Sequence, residues 1–196
     1  MVGKIVYDFE EIDFSLRSLV GGKGAGLGEM TKRGFPVPPG FTIITSAEKI
    51  VSDKGYDAIR GQVEEAIYLL EEKTQRKFGE GKNPLLVSVR SGAVISMPGV
   101  METILNVGAR SSFTKRKDNF YTDLYFKLLK NFATNVFDLE GKLTHDCWKD
   151  YKTLMKGIRE NGYEFPQNPK EQLRLAVEAV FKSWHSQKAI DYREVE

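Results

Sequence analysis

Gly21-Gly22-Lys23-Gly24-Ala25-Gly26-Leu27-Gly28 concentrates five glycines around one lysine. Glycine lets the backbone turn so that successive N–H groups converge on an anion. A helix opening there adds its positive end, and Lys23 adds a full charge. Upstream, Lys4 to Phe9 is β-branched and aromatic and reads as a short strand. Downstream, Leu27, Met30 and Thr31 fit a helical face, and Gly34 with Pro36, Pro38 and Pro39 forms a firm stop. The order strand, glycine turn, helix suits a phosphate cradle, although neither common motif is met. The P-loop pattern needs Ser or Thr where Gly24 follows Lys23, and the dinucleotide pattern needs Gly at Leu27. A tight glycine turn with an exposed lysine has the same composition, so this segment alone leaves both readings open.

Working outward, Phe41 to Ile44 reads as a buried strand, and Thr45 with Glu48 as a capping box for the helix containing Ile50 and Val51. Ile59, Val63, Ala66, Ile67 and Leu70 recur at helical spacing and predict a helix from about Tyr56 to Phe78. Asn83-Pro84 interrupts it. The brief apolar run Leu85 to Val89 is expected as a central strand. Beyond Asn119 the pattern is helical, with Tyr121, Leu124, Tyr125, Leu128, Leu129 and Phe132 on one side and a further helix near Thr144 to Ile158. Asn168, Pro169 and Glu171 supply a start signal for the last expected helix, whose stripe is Leu173, Val177, Val180, Phe181 and Trp184. The fold class is therefore α+β, a small mixed sheet followed by a largely helical final third, and no closing element is visible after Ile190.

A second constellation follows the run at residue 85: Val87-Ser88-Val89-Arg90-Ser91-Gly92, continuing through Ser96-Met97-Pro98-Gly99-Val100-Met101-Glu102-Thr103. A strand delivers Arg90 at its C-terminal end, where ligands collect in open α/β sheets. Its planar fork of donors suits phosphate. A solvated Arg at a strand end, with methionines packing inward, is the plainer reading. Two glycine-bearing loops with one cation each favour a shared phosphate site.

Composition narrows the rest. With 29 basic and 27 acidic residues the net charge is +2, short of the basic excess a dedicated nucleic-acid binder needs. No stretch approaches the roughly 18 apolar residues of a membrane span, and the N-terminus meets acidic residues before any h-region. The lone Cys147 has no partner for a disulfide or a CxxC pair, so a reducing cytoplasm is the expected compartment. It reads as a small core residue, and His145 and His185 as surface or cap residues rather than zinc ligands. Lys115-Arg116-Lys117 reads as a solvated loop. Glu102 is the carboxylate best placed for a Mg²⁺ or hydroxyl role, but one carboxylate does not make a metal site.

Together these residues resemble a known family. The segments Gly21 to Leu27, Phe35-Pro36-Val37-Pro38-Pro39-Gly40-Phe41, Val87 to Ala93 and Ser96 to Asn106 are similar to the N-terminal nucleotide-binding region of pyruvate phosphate dikinase. Glu171-Gln172-Leu173-Arg174-Leu175-Ala176-Val177 through Phe181-Lys182-Ser183-Trp184 resembles that family again. Ser-Met-Pro-Gly in the second loop looks more like the dikinase than phosphoenolpyruvate synthase or rifampicin phosphotransferase.

The resemblance implies the first lobe of an ATP-grasp fold, with a glycine-rich α/β part over residues 1–110 and a helical part of the same lobe over 111–196. It implies that Lys23 and Arg90 bind ATP phosphates and that Gly99 and Thr103 line a loop closing over them. Gly22, Gly24, Ser91, Ser96, Met101 and Glu102 are possible loop contacts. ATP and Mg²⁺ are the implied ligands, with pyruvate and phosphate as substrates of the complete enzyme. The second lobe, the phosphohistidine domain and the pyruvate barrel follow in the family, so a partner supplying the second lobe is one expectation. Alternatives are a non-catalytic binding module on the same fold and the nucleotide lobe of a related phosphoenolpyruvate synthase-like phosphotransferase.

Overall fold

The computed structural model describes residues 3–92 and 102–195. By their contacts these form two interleaved compact units: residues 3–76, 91–92 and 181–195 make the first, and 77–90 with 102–180 make the second. The change of composition near residue 110 therefore lies inside the second unit.

In the first unit β1 (Val6–Asp8) pairs antiparallel with β2 (Phe41–Ile43), Val6 opposite Ile43. The strand is shorter than the apolar run because Asp8 ends it. Its carboxylate accepts the Glu10 N–H at 2.9 Å and starts a 3₁₀ turn over Phe9–Glu11. Helix α1 (Arg17–Lys32) buries Val20 and Ala25 against Ile12, with Tyr7, Phe9, Leu16 and Leu19 around them. Helices α2 (Ala47–Lys54) and α3 (Asp57–Thr74) follow, and α3 buries Ile59, Val63, Ile67 and Leu70 as its spacing predicts. It ends short of Phe78 because Gln75 turns left-handed at φ 53°.

Gln62 on α3 seals the edge of β1. Its Oε1 accepts the N–H groups of Ile5 at 2.7 Å and Val6 at 3.2 Å, and its Nε2 donates to the Gly3 carbonyl at 2.9 Å. Lys73 reaches Asp8 at 2.9 Å and Glu10 at 3.0 Å. Burial works against its charge, but the two carboxylates outweigh it and hold the ammonium pKa above its ordinary value.

The capping box expected at Thr45 and Glu48 does not form. Thr45 instead donates its N–H at 2.9 Å and its hydroxyl at 3.2 Å to the Leu19 carbonyl, and Glu48 pairs with His185 at 2.7 Å. A helix the sequence pattern did not announce, α7 (Gln187–Val195), closes the described chain. It lacks an apolar stripe and is held by Arg193, which donates to the Trp184 carbonyl at 2.8 Å and stacks 4.4 Å from that indole.

In the second unit β3 (Val87–Arg90) pairs antiparallel with β4 (Thr103–Val107). The run from Leu85 is thus not central in a larger sheet. Among the described residues its strand has one partner, and Leu85 forms only an isolated parallel bridge to Phe78. Helix α4 (Asn119–Asn131) continues into a wide π turn, Phe132–Val136. The helix expected from Thr144 is divided into a 3₁₀ turn, His145–Trp148, and α5 (Tyr151–Glu160). Asp150 makes the division by capping α5 through the N–H groups of Lys152 at 2.7 Å and Thr153 at 3.0 Å.

Helix α6 (Pro169–Ser183) starts as expected, with the Asn168 side chain accepting the Lys170 N–H at 2.9 Å. Glu171 turns instead to Arg174, whose guanidinium holds its carboxyl pKa below the ordinary value. The core is aromatic, with Phe165 edge-on to Phe132 at 5.0 Å and to Tyr125 at 5.7 Å. Arg116 is not a solvated loop residue. It donates to the carbonyls of Lys82 at 2.8 Å and Gly81 at 2.7 Å and lies 3.9 Å over the Tyr121 ring. Cys147 is only half-buried and packs against Gly157, where a Cβ would approach its sulfur to 2.9 Å.

Two glycines of α1 call for opposite outcomes. A Cβ on Gly28 would sit 2.5 Å from the Ile12 Cβ and 2.6 Å from its carbonyl oxygen, whereas no described atom lies within 4 Å of one on Gly26. Gly28→Ala should destabilise the chain by roughly 1–3 kcal/mol through overpacking. Gly26→Ala should stabilise it by up to about 1 kcal/mol through helix propensity. Urea unfolding of the two variants checks the signs.

Candidate functional site

The glycine-rich segment does more than turn the chain into a helix. Within α1, Gly21 alone leaves helical geometry, at φ 76° and ψ 169°, a conformation that side chains resist. The helical geometry resumes at Gly22, which puts Lys23 in the first turn after the break. The break also frees the Leu19 carbonyl, and this is the group Thr45 takes with both its N–H and its hydroxyl. Lys23 is exposed at the start of the restarted helix. Gly24 is buried for a packing reason: a Cβ there would meet the Thr42 hydroxyl oxygen at 2.9 Å. Of the five glycines, Gly21 supplies the turn, Gly24 and Gly28 the close approach, and Gly22 and Gly26 stay half-buried.

The start of the second loop lies beside this break in the same unit. Ser91 is buried, and a Cβ on Gly92 would come 3.3 Å from the Val20 carbonyl oxygen. The Ser91-Gly92 backbone thus lies next to the Val20 carbonyl, just before the break.

In the second unit Arg90 is the last residue of β3 and stands directly opposite Thr103, the first of β4. Their side chains rise from one end of the hairpin, Arg90 exposed and Thr103 half-buried, with Glu102 half-buried next to Thr103. The hairpin carries a β-bulge. Val87 faces Val107 and Val89 faces Ile104, so β4 holds one residue more than β3 over this stretch. Asn106, left-handed at φ 59°, absorbs the extra residue and donates through Nδ2 to the Leu124 carbonyl at 3.4 Å.

Two further side chains fix β4, and the sequence patterns gave neither a role. The Asn131 Oδ1 accepts the Leu105 N–H at 2.9 Å from α4. Gln172, fully buried on α6, accepts the Gly108 N–H at 2.8 Å and donates to the carbonyls of Ala109 at 2.9 Å and Pro166 at 2.8 Å. Gly108 itself turns at φ 107°, and Gly79 is wedged beside it, where a Cβ would meet the Gly108 oxygen at 2.7 Å and Pro169 at 2.4 Å. The only pointer to Gln172 was its place between Glu171 and Leu173 in the last motif.

Ser96, Gly99 and Met101 lie outside the described residues. Among the described residues no group of three or more His, Cys, Asp and Glu stands together as a metal site, and no helix is long and apolar enough to cross a membrane. His145 is exposed, and His185 is occupied by Glu48.

The first unit thus has a helix restarted after a glycine break with an exposed lysine in its first turn, and the second a strand end bearing arginine opposite threonine. Residues 48–196 match the family described as pyruvate phosphate dikinase, AMP/ATP-binding domain, and the chain belongs to that family. It is 41% identical to pyruvate, phosphate dikinase of Clostridium symbiosum over 98% of this chain and 26% of that protein. Identity is 39% to the protein of that name from Entamoeba histolytica, over 96% of this chain and 25% of the relative. It is 36% to the chloroplastic pyruvate, phosphate dikinase 1 of Oryza sativa subsp. japonica, over 92% and 22% respectively. The chain therefore spans about a quarter of the length of these relatives. The glycine-rich segment precedes the matched domain residues but lies within the span shared with the relatives.

Gln172→Leu tests whether the amide fixes the hairpin. It keeps the volume but strands the buried Gly108 N–H and Ala109 carbonyl, each costing about 1–3 kcal/mol. The expected loss is roughly 2–4 kcal/mol of unfolding free energy, measured by denaturant titration.

Proposed function

We propose that this chain is the ATP-binding lobe of a pyruvate phosphate dikinase-type phosphotransferase. Lys23 and Arg90 hold the nucleotide phosphates, Gly99 and Thr103 line the loop over them, and Gly22, Gly24, Ser91, Ser96, Met101 and Glu102 make loop contacts. The observation that carries this reading is the break at Gly21, which begins a helix where Lys23 can add a side-chain ammonium to the first-turn amides.

The chemistry assigned to the chain is positioning and charge neutralisation. A triphosphate brings several negative charges together, and a lysine point charge with an arginine fork offsets their mutual repulsion while fixing their orientation. The exposure of both cations in the absence of ligand suits groups that trade hydration for phosphate oxygens. Mg²⁺ would accompany ATP and would supply charge neutralisation to the phosphates; the described residues offer it no cluster of three or more His, Cys, Asp and Glu, so no residue is named as its ligand.

The complete reaction, ATP, phosphate and pyruvate to AMP, diphosphate and phosphoenolpyruvate, belongs in the same proposal. So do its second nucleotide lobe, a phosphohistidine carrier and a pyruvate-binding barrel, supplied outside this chain. A cytoplasmic location fits the single half-buried cysteine.

Calorimetric titration of Mg·ATP into the chain and into Lys23→Ala and Arg90→Ala tests the site. Each variant should lose at least about tenfold in affinity, the value of one charge-assisted contact, with melting unchanged because both side chains are exposed. Equal heats for all three proteins would remove Lys23 and Arg90 from the site.

A further inference from the structure

A cavity of about 370 Å³ in the second unit lies along α5, separate from the residues assigned to ATP. Its floor is aromatic and apolar, made by buried Tyr125 and half-buried Tyr151 and Met155. Its rim is cationic. Lys152, Lys156 and Arg159 are all exposed and recur at four and three residues, so one face of α5 presents all three to the opening. Glu160 is the one acidic group in the lining and faces Lys156 at 3.6 Å, which leaves a local excess of positive charge.

A second, independent feature lies at the floor. The Tyr125 hydroxyl oxygen is buried and has no hydrogen-bond partner among the described residues, a state that costs free energy and is rare in folded proteins. Gln167 lies beside the phenol and partly offsets the effect of burial on it; its Oε1 accepts the Ser111 N–H at 2.9 Å and its Nε2 donates to the Phe165 carbonyl at 3.4 Å. Burial pushes the phenol pKa above its ordinary value, so at neutral pH the group remains a donor.

The geometry points to a binding site for a small organic anion with a flat apolar body. Its ring lies on Tyr151 and Met155, and its anionic oxygens meet Lys152, Lys156 and Arg159. A phosphate monoester is the favoured class, because three cations exceed what one carboxylate neutralises and the Tyr125 hydroxyl has no acceptor of its own. The size agrees, since small-molecule pockets begin at about 300 Å³. Nothing in the ATP-binding proposal uses these residues.

Phenyl phosphate is the probe, titrated into the ¹⁵N-labelled full chain carrying Lys23→Ala and Arg90→Ala so that binding at the nucleotide residues is suppressed. Amide shifts should move along residues 152–160 and near Tyr125. Arg159→Gln should weaken binding about tenfold, and Tyr125→Phe by roughly three- to tenfold. Both are mild substitutions, one on an exposed side chain and one removing only a hydroxyl. Benzoate should bind more weakly than phenyl phosphate, and inorganic phosphate, lacking the apolar body, more weakly still. The inference is overturned if residues 152–160 do not shift, if they shift equally in Arg159→Gln and Tyr125→Phe, or if inorganic phosphate binds as well as the ester.

Discussion

The Gln172 carboxamide is the fixed point of the second unit. One side chain satisfies the Gly108 N–H and two carbonyls inside the protein, where an unpaired backbone group would be costly. Because Gly108 follows directly on β4, the amide determines where that strand leaves the hairpin. Asn131 and the bulge at Asn106 determine how it runs. The opposition of Arg90 and Thr103 at the other end of the hairpin follows from these constraints. The exposed cation is thus positioned by side-chain amides, one buried and two half-buried, none of which carries charge. Packing around them leaves little freedom: Gly79 and Gly108 touch at distances that exclude any side chain, and Pro169 closes the remaining space.

The first unit solves a related problem with a break. A helix running uninterrupted through residues 17–32 would bury the amides of Gly22, Lys23 and Gly24 in its own hydrogen bonds. Gly21 interrupts the ladder, and Thr45 covers the carbonyl that is exposed as a result. The same glycine-rich run serves close packing at Gly24 and Gly28 and a backbone break at Gly21.

Much of this was legible in the sequence where a single periodicity governs an element. The stripe of α3, the apolar side of α4 and the Asn168-Pro169 start of α6 are local signals, and they appear where spacing places them. What the sequence withheld depends on distant partners. Thr45 and Glu48 have the spacing of a cap, yet each has a stronger partner far along the chain. The run at Leu85 looks like a central strand because it is brief and apolar and includes β-branched Val87 and Val89, but a strand's place in a sheet is set by its neighbours. Helix α7 lacks an apolar stripe, and Arg116 in a basic triplet resembles any solvated charge until the ring of Tyr121 is beneath it. The two cations chosen for the phosphate role were visible through their glycine-bearing loops. The amide that aligns one of them was visible only as a letter in a motif, because glutamine's function is set by what surrounds it.

The interleaving of the two units bears on how the chain is made. The contact between His185 and Glu48 closes a loop of 137 residues, and residues 181–195 complete a unit whose strands and first helices were synthesised at the start. Chain emerges from a ribosome at about 5–20 residues per second, so the first unit waits several seconds for its last segment. The second unit is interrupted only at 91–101 and has all its parts by residue 180, so it can be finished earlier. During that interval the rest of the first unit lacks residues 181–195. Order of synthesis thus completes the first unit after the second.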